Sequence, residues 1–287
     1  MVPTTRTLLA SIVDYAGLFP PAESGMQEAV REFARARSSQ EGWMLGHFVL
    51  PAARLDEFEN AAATLFSRAS GDPWPLSLVS PEVTDVEVER IRPFNHRWRS
   101  RASVRAMEIA PLEPDKILRT AGRIPAGVDA YFEVRWDSDV ECHLAAVAVS
   151  GASAKVRTGG TTAAAFPGAL ELCRFIFACA GAPVGFKATA GLHHPLRGRH
   201  GLAEMHGFFN LAVAAATVYQ KRGSVDDVAE LLESPGEAFE FRDSGVTWKD
   251  RTLTLSEPEM ARHRFFRSFG SCSFQEPVDD LKELKLL

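Results

Sequence analysis

Short apolar runs rich in β-branched and aromatic residues alternate along this chain with longer stretches in which apolar positions recur every three or four residues. The runs at 11–19, 46–50, 76–80, 104–110, 130–136, 153–158, 184–190 and 267–274 predict eight strands. The stretches at 26–36, 55–67, 114–121, 140–149 and 168–180 predict amphipathic helices between them. Pro167 and Gly168 mark the start of the last of these, and Gly181 marks its end. Strands that alternate with helices of roughly ten to fifteen residues describe βα units and a parallel sheet. Eight such units predict a single α/β domain over residues 1–287, a closed (β/α)8 TIM barrel in preference to an open doubly wound sheet.

The spacing is uneven between the seventh and eighth strands. Residues 192–262 are far more than one crossover helix needs, so an insertion is expected there. It opens on Leu192-His193-His194-Pro195, continues into a helix expected over 205–220, and closes in polar, strand-like pieces around 239–255. Because the segment starts at the end of a barrel strand, where loops carry function, it is expected to form a lid or substrate-selecting subdomain.

Composition narrows the class. A net charge of −5 with no basic block argues against a nucleic acid or an anionic membrane as partner. Cys142, Cys173, Cys179 and Cys272 form no C-x-x-C pair, which points to a reduced, cytoplasmic setting. The first apolar stretch ends at Asp14, too soon for a secretory signal, and the run at 211–219 is too short to span a bilayer.

Candidate chemistry begins with two lysines. Lys155 and Lys187 each end a strand-like run that breaks into glycine, at Gly159 and Gly191. On neighbouring parallel strands their ammonium groups converge at the catalytic face of a barrel. A lysine beside another cation loses basicity, and a neutral amine attacks a carbonyl to form a Schiff base. The plain alternative is that one of them pairs with Glu108 or Glu133 in a structural salt bridge.

The surrounding motifs resemble those of the deoxyribose-phosphate aldolases, class I enzymes that work through a lysine Schiff base. Lys155-Val-Arg-Thr-Gly is similar to that family's Lys-Thr-Ser-Thr-Gly strand, and Val184-Gly-Phe-Lys-Ala-Thr-Ala-Gly to its Val-Gly-Phe-Lys-Pro-Ala-Gly-Gly strand. Val13-Asp14-Tyr15-Ala16-Gly17-Leu18 resembles its opening Ile-Asp-His-Thr-Leu-Leu, and Phe48-Val49-Leu50-Pro51 its Cys-Val-Asn-Pro. Met107-Glu108-Ile109 falls where the family has Val-Asp-Val, Phe132-Glu133 where it has Ile-Ile-Glu, and Ser268-Phe269-Gly270-Ser271-Cys272-Ser273 where it has Arg-Phe-Gly-Ala-Ser-Ser. The order is collinear over almost the whole chain apart from the insertion. The resemblance implies a lyase acting on a small carbonyl substrate without a metal or other cofactor. It makes Lys155 the nucleophile, Lys187 its electrostatic tuner, Glu108 the proton relay and Asp14 an orienting group. Gly159, Gly191, Ser271 and Ser273 fall at positions that contact substrate, with Glu133 beside them. Barrel enzymes of this class often assemble as homodimers.

The departures from the family pattern bear on the substrate. Glu108 is longer by one methylene than the aspartate it replaces, Ala190-Gly191 stands where a phosphate-cradling Gly-Gly is expected, and Cys272 replaces a serine. Arg157, two residues after Lys155, falls on the same side of the strand and is suited to clamping a carboxylate or phosphate. His193 and His194 are expected at the rim as substrate contacts or acid/base groups. A rival reading takes His193, His194, His200 and His206 as ligands of a metal-dependent barrel enzyme, with the lysines as anion clamps. A third takes the chain as a non-catalytic barrel that binds a small ligand.

Overall fold

The strands in chain order are β1 (Val13–Tyr15), β2 (Leu45–Pro51), β3 (Trp74–Ser80), β4 (Ala102–Ile109), β5 (Asp129–Glu133), β6 (Ser153–Arg157), β7 (Phe186–Thr189), β8 (Gly198–His200), β9 (Ala203–Met205), β10 (Phe239–Arg242), β11 (Gly245–Trp248), β12 (Arg251–Thr254) and β13 (Phe266–Ser271). The computed structural model describes residues 3–66, 72–200 and 203–287. β1 to β7 pair in sequence order and β13 closes the ring between β7 and β1, so eight parallel strands form a closed barrel. All eight strands expected from the apolar runs are present, and with the helices between them they form the expected (β/α)8 TIM barrel. β1 is shorter than its apolar run, because the chain leaves the sheet ahead of Gly17 and the Pro20-Pro21 pair.

Alternation along β1 sets the inside and outside of the barrel. Tyr15 donates from its hydroxyl to Glu32 of the helix Met26–Ser38 at 2.5 Å, which leaves Asp14 directed to the interior. Between strands and helices the core is aromatic. Phe33 meets Phe48 edge-on at 5.3 Å and packs on Trp74 at 4.9 Å, while Phe186 is flanked by Phe175 and Phe265.

The expected helices form at Met26–Ser38, Leu55–Phe66, Pro114–Ala121, Val140–Ser150, Ala169–Gly181 and Phe208–Tyr219. Ser67, the end of the expected 55–67 helix, lies outside the described residues. Helices at Pro3–Leu9, Asp85–Trp98, Val225–Glu233, Ser256–Arg264 and Gln275–Glu283 had no counterpart in the sequence reading. Asp85–Trp98 is highly charged and carries Pro93 in its interior, which obscures the helical period. Its start is nonetheless well specified: Thr84 and Glu87 form a reciprocal capping box, and the Glu87 carboxylate also accepts from Ser80 at the end of β3. One stretch, Ala163–Gly181, is apolar and long enough by composition to cross a membrane; its helical part is a wall of the barrel, with Leu172, Phe175 and Ile176 buried.

The segment 192–262, expected as an insertion, divides into parts that pack at different places. Its first part, through the antiparallel β8–β9 hairpin, borders the barrel mouth. Phe208–Tyr219 is apolar on every side and is buried from Phe208 to Val218, so it serves as a barrel-wall helix. Asn210 fastens its start, accepting from the Arg197 amide and donating to the carbonyls of Leu231 and Ser234. The antiparallel sheet β10–β12 lies against the N-terminal helix Pro3–Leu9, where the Thr4 hydroxyl donates to the Arg242 carbonyl at 2.6 Å. That helix leads into the start of β1, so this sheet sits toward the end of the barrel remote from the mouth.

The same remote end is closed by a buried cation. The guanidinium of Arg262 donates to the carbonyls of Leu8 (2.9 Å), Ala10 (3.2 Å), Phe266 and Arg267 (2.5 Å), joining the end of the first helix to the start of β13. Burial lowers its pKa to about 10, so it stays charged at neutral pH. Replacing Arg262 with Met is expected to destabilise the protein by about 3 kcal/mol or more by stranding buried carbonyls, and Arg262→Lys is expected to recover only part of this for want of a planar fork. Urea unfolding followed by circular dichroism measures both; equal stability of Arg262→Met and the wild type would refute the clamp.

Candidate active site

Inside the barrel a single chain of polar contacts passes through all eight strands. Lys187 of β7 donates to Asp14 of β1 at 2.5 Å and to Glu108 of β4 at 2.6 Å. Asp14 also accepts from the Ser268 hydroxyl of β13 at 2.6 Å and from the backbone amide of His47 in β2 at 2.8 Å, with His47 Nδ1 at 2.9 Å. Glu108 accepts from the Ser77 hydroxyl of β3 at 2.8 Å and lies 3.7 Å from Lys155 of β6, which in turn is 3.1 Å from Glu133 of β5. Strand register explains the assembly: Glu133 is opposite Lys155, and Lys155 is opposite Lys187. Gly46 leaves room for it, since a Cβ there would come within 2.5 Å of Asp14 Oδ1.

The electrostatics follow from burial and pairing together. Burial alone would raise the pKa of Asp14 and of Glu108, but Lys187 outweighs it, with His47 helping at Asp14 and Lys155 at Glu108; both carboxyls end below their ordinary values. Burial would lower the pKa of Lys187, and here too the two carboxylates prevail and raise it. Lys187 is therefore a permanent cation, further supported by the Tyr131 ring, whose centroid is 5.5 Å from Nζ. Burial pushes the Tyr131 hydroxyl up to about 12. The two lysines thus meet through shared Glu108, not as bare neighbouring charges, and each lies within ion-pair distance of carboxylates.

Above this network, at the C-terminal ends of the strands, opens a cavity of about 380 Å³. Lys155, Glu108 and Arg157 line it, whereas Lys187 and Asp14 lie beneath its floor. Arg157 is exposed, and its guanidinium has no hydrogen-bond or ion-pair partner among the described residues. Thr189, Gly270 and Cys272 complete the side near β7 and β13. The Cys272 thiol is pushed up by burial and by Glu276, which disfavours its thiolate.

The remaining expected residues divide by location. Gly191 lines the cavity, but both glycines serve backbone contact: a Cβ on Gly159 would come within 2.7 Å of Gly191 Cα, and one on Gly191 within 2.8 Å of the Thr158 carbonyl. Gly191 has φ +71°, and the preceding Ala190 has φ +62°, held by the Thr158 hydroxyl donating to its carbonyl at 2.6 Å. Ser271 and Ser273 turn toward the chain itself instead of lining the cavity. The Ser271 hydroxyl accepts from the Ser273 amide, and the Ser273 hydroxyl accepts from the Glu276 amide at the start of the last helix.

His193 and His194 lie side by side near Glu276, whereas His206 is apart from them. His193 borders the cavity with Nδ1 3.1 Å from Glu276, and His194 pairs with Asp280 at 2.5 Å, so each is engaged by the last helix. His206 is buried, donates from Nε2 to the Pro167 carbonyl at 2.8 Å, and is lowered by burial to a pKa of about 4. The side chain of His200 lies outside the described residues. Among the described residues, no group of three or more His, Cys, Asp or Glu side chains is placed to hold a metal.

Ser77, Ser268, His47 and Tyr131 belong to the network and were not singled out from the sequence. The signal available was their position on predicted strands, but serines and a tyrosine in such runs carry no local mark of their partners. No family model and no curated protein matches this chain.

The network predicts a pH signature. Asp14 and Glu108, with depressed pKa, contribute stability that is fully present above about pH 4 and is lost as the pH falls through their folded values. Lys187→Met removes their main cation, so the same buried carboxyls should titrate above their ordinary range, penalising the fold at high pH and relaxing as they protonate. The variant is expected to be destabilised by about 3–5 kcal/mol near neutral pH, with the gap to wild type narrowing as pH falls toward about 5. Urea unfolding at several pH values checks this; a gap independent of pH would mean that Lys187 is not the counter-ion.

Proposed function

We propose that this protein is a class I aldolase-like lyase, with Lys155 forming a Schiff base with a small carbonyl substrate. The observation that carries the reading is that Lys155 lines the mouth cavity with carboxylates on both sides, Glu133 at 3.1 Å and Glu108 at 3.7 Å, while the second lysine is tied down beneath it. The motif resemblance to deoxyribose-phosphate aldolases supports the same assignment of roles.

In the forward direction Lys155 passes a proton to Glu133 and its free amine attacks the substrate carbonyl carbon. The carbinolamine loses water to give a protonated imine. In a substrate with a hydroxyl on the carbon β to the carbonyl, that imine is the electron sink into which the Cα–Cβ bond breaks, leaving an enamine and releasing the β-carbon as an aldehyde or ketone as the β-hydroxyl proton moves to a carboxylate. Glu108, reached directly or through a water, returns a proton to the enamine carbon, and hydrolysis frees Lys155. Lys187 holds Glu108 and Asp14 in place and fixes positive charge below the reacting nitrogen. The metal-dependent alternative lacks a comparable basis, since among the described residues no three His, Cys, Asp or Glu side chains converge to hold a metal and His206 is directed away to the Pro167 carbonyl.

Sodium borohydride reduction in the presence of acetaldehyde, pyruvate or glycolaldehyde is expected to leave a stable adduct on the peptide containing Lys155, detected by intact mass and peptide mapping, and none in Lys155→Met. Absence of any adduct, or adducts confined to other lysines, would overturn the assignment.

A further inference from the structure

The cavity walls are chemically two-sided, and the division follows the order of the strands. Along the arc from β1 to β3 the lining is Ala16, Phe19, Pro20 and Pro21 after β1, Val49 of β2 and Val79 of β3. Among the described residues, no side-chain oxygen or nitrogen lines the cavity along this arc. Across from it, β4, β6 and β7 contribute Glu108, Lys155, Arg157 and Thr189, and the segments beyond β6 and β7 add Thr161, His193 and the apolar Phe166 and Met205. Arg157 stands two residues beyond Lys155, about 6.6 Å nearer the opening, and is the guanidinium left without a partner.

These walls discriminate among carbonyl compounds. A chain bearing several hydroxyls, laid against the β1–β3 arc, exchanges hydrogen bonds to water for contact with carbon. An aliphatic chain gains from the same contact. An anionic group gains from Arg157, whose planar fork matches a carboxylate or phosphate in a site that already excludes part of the solvent.

We infer that the substrate is an anionic carbonyl compound whose carbon chain is aliphatic apart from the β-hydroxyl at which the C–C bond breaks, an oxo acid in preference to a sugar phosphate, with its charged end on Arg157 and its carbon chain on the β1–β3 arc. This rests on the Schiff-base reading for the position of the carbonyl at Lys155, while the anion subsite at Arg157 stands apart from it.

The test compares succinic semialdehyde with butanal, its uncharged analogue of the same chain length, and with glyceraldehyde 3-phosphate, in borohydride trapping over a range of concentrations. Half-maximal labelling by succinic semialdehyde is expected at a concentration lower by about tenfold or more than for butanal, and that ratio is expected to collapse toward one in Arg157→Gln and to recover partly in Arg157→Lys. Calorimetric titration with succinate, which has no carbonyl to react, is expected to show saturable binding that Arg157→Gln abolishes. Equal trapping of succinic semialdehyde and butanal by the wild type would overturn the anion subsite and leave the Schiff base intact. Tighter trapping of glyceraldehyde 3-phosphate than of succinic semialdehyde would overturn the aliphatic preference. Succinate binding lost in Arg157→Gln, with no adduct from any aldehyde, would retain the subsite and reject the Schiff base.

Discussion

Lys187, pinned between Asp14 and Glu108, is the contact on which the interior of this barrel depends. β7 and β4 are not neighbours in the ring, so the ammonium group crosses the lumen to join strands that share no backbone ladder. A filling of branched apolar side chains would close a barrel core as well. Here part of that space holds charge, and charge in a low dielectric is tolerated only when every member is paired. The serines at 77 and 268 and the amide of His47 supply the remaining partners of the two carboxylates.

That arrangement separates two jobs that a pair of lysines at strand ends would otherwise share. Lys187 is fully engaged and buried below the cavity, so it holds geometry and charge. Lys155 lies one strand over, at the same register, yet reaches the cavity and carboxylates that can carry protons. The division of labour comes from what surrounds each side chain and not from the sequence around it, since both lysines stand in similar runs ending in glycine.

The architecture was legible because it is written in periodicity. All eight barrel strands appear as apolar runs, and the register that brings Lys155 beside Lys187 follows from two neighbouring parallel strands. The helix Asp85–Trp98, with a narrow buried face and Pro93 in its interior, carried too weak a period to be recognised. Within the insertion, a helix as uniformly apolar as Phe208–Tyr219 has to be buried in a wall, while the stretch before it borders the mouth. At the site, the charged members Asp14, Glu108, Glu133, Lys155 and Lys187 stood out as ionisable residues on strands, whereas the spacing of the histidines did not show which of them would meet. Proximity in sequence brought four of them within a short stretch, but a hairpin and a helix start then separated His206 from His193 and His194 and gave it another partner.

The close approach of Gly159 and Gly191 has a consequence for how this cavity can change shape. Where the ends of β6 and β7 meet, backbone touches backbone, with the Phe166 ring against both glycines. The opposite rim is made of Phe19, Val49 and Val79, side chains that can be shortened or exchanged without disturbing a strand ladder. The backbone junction of β6 and β7 is therefore fixed, whereas the mouth can be reshaped on the β1–β3 side while Lys155, Glu108 and Glu133 stay in register on the other.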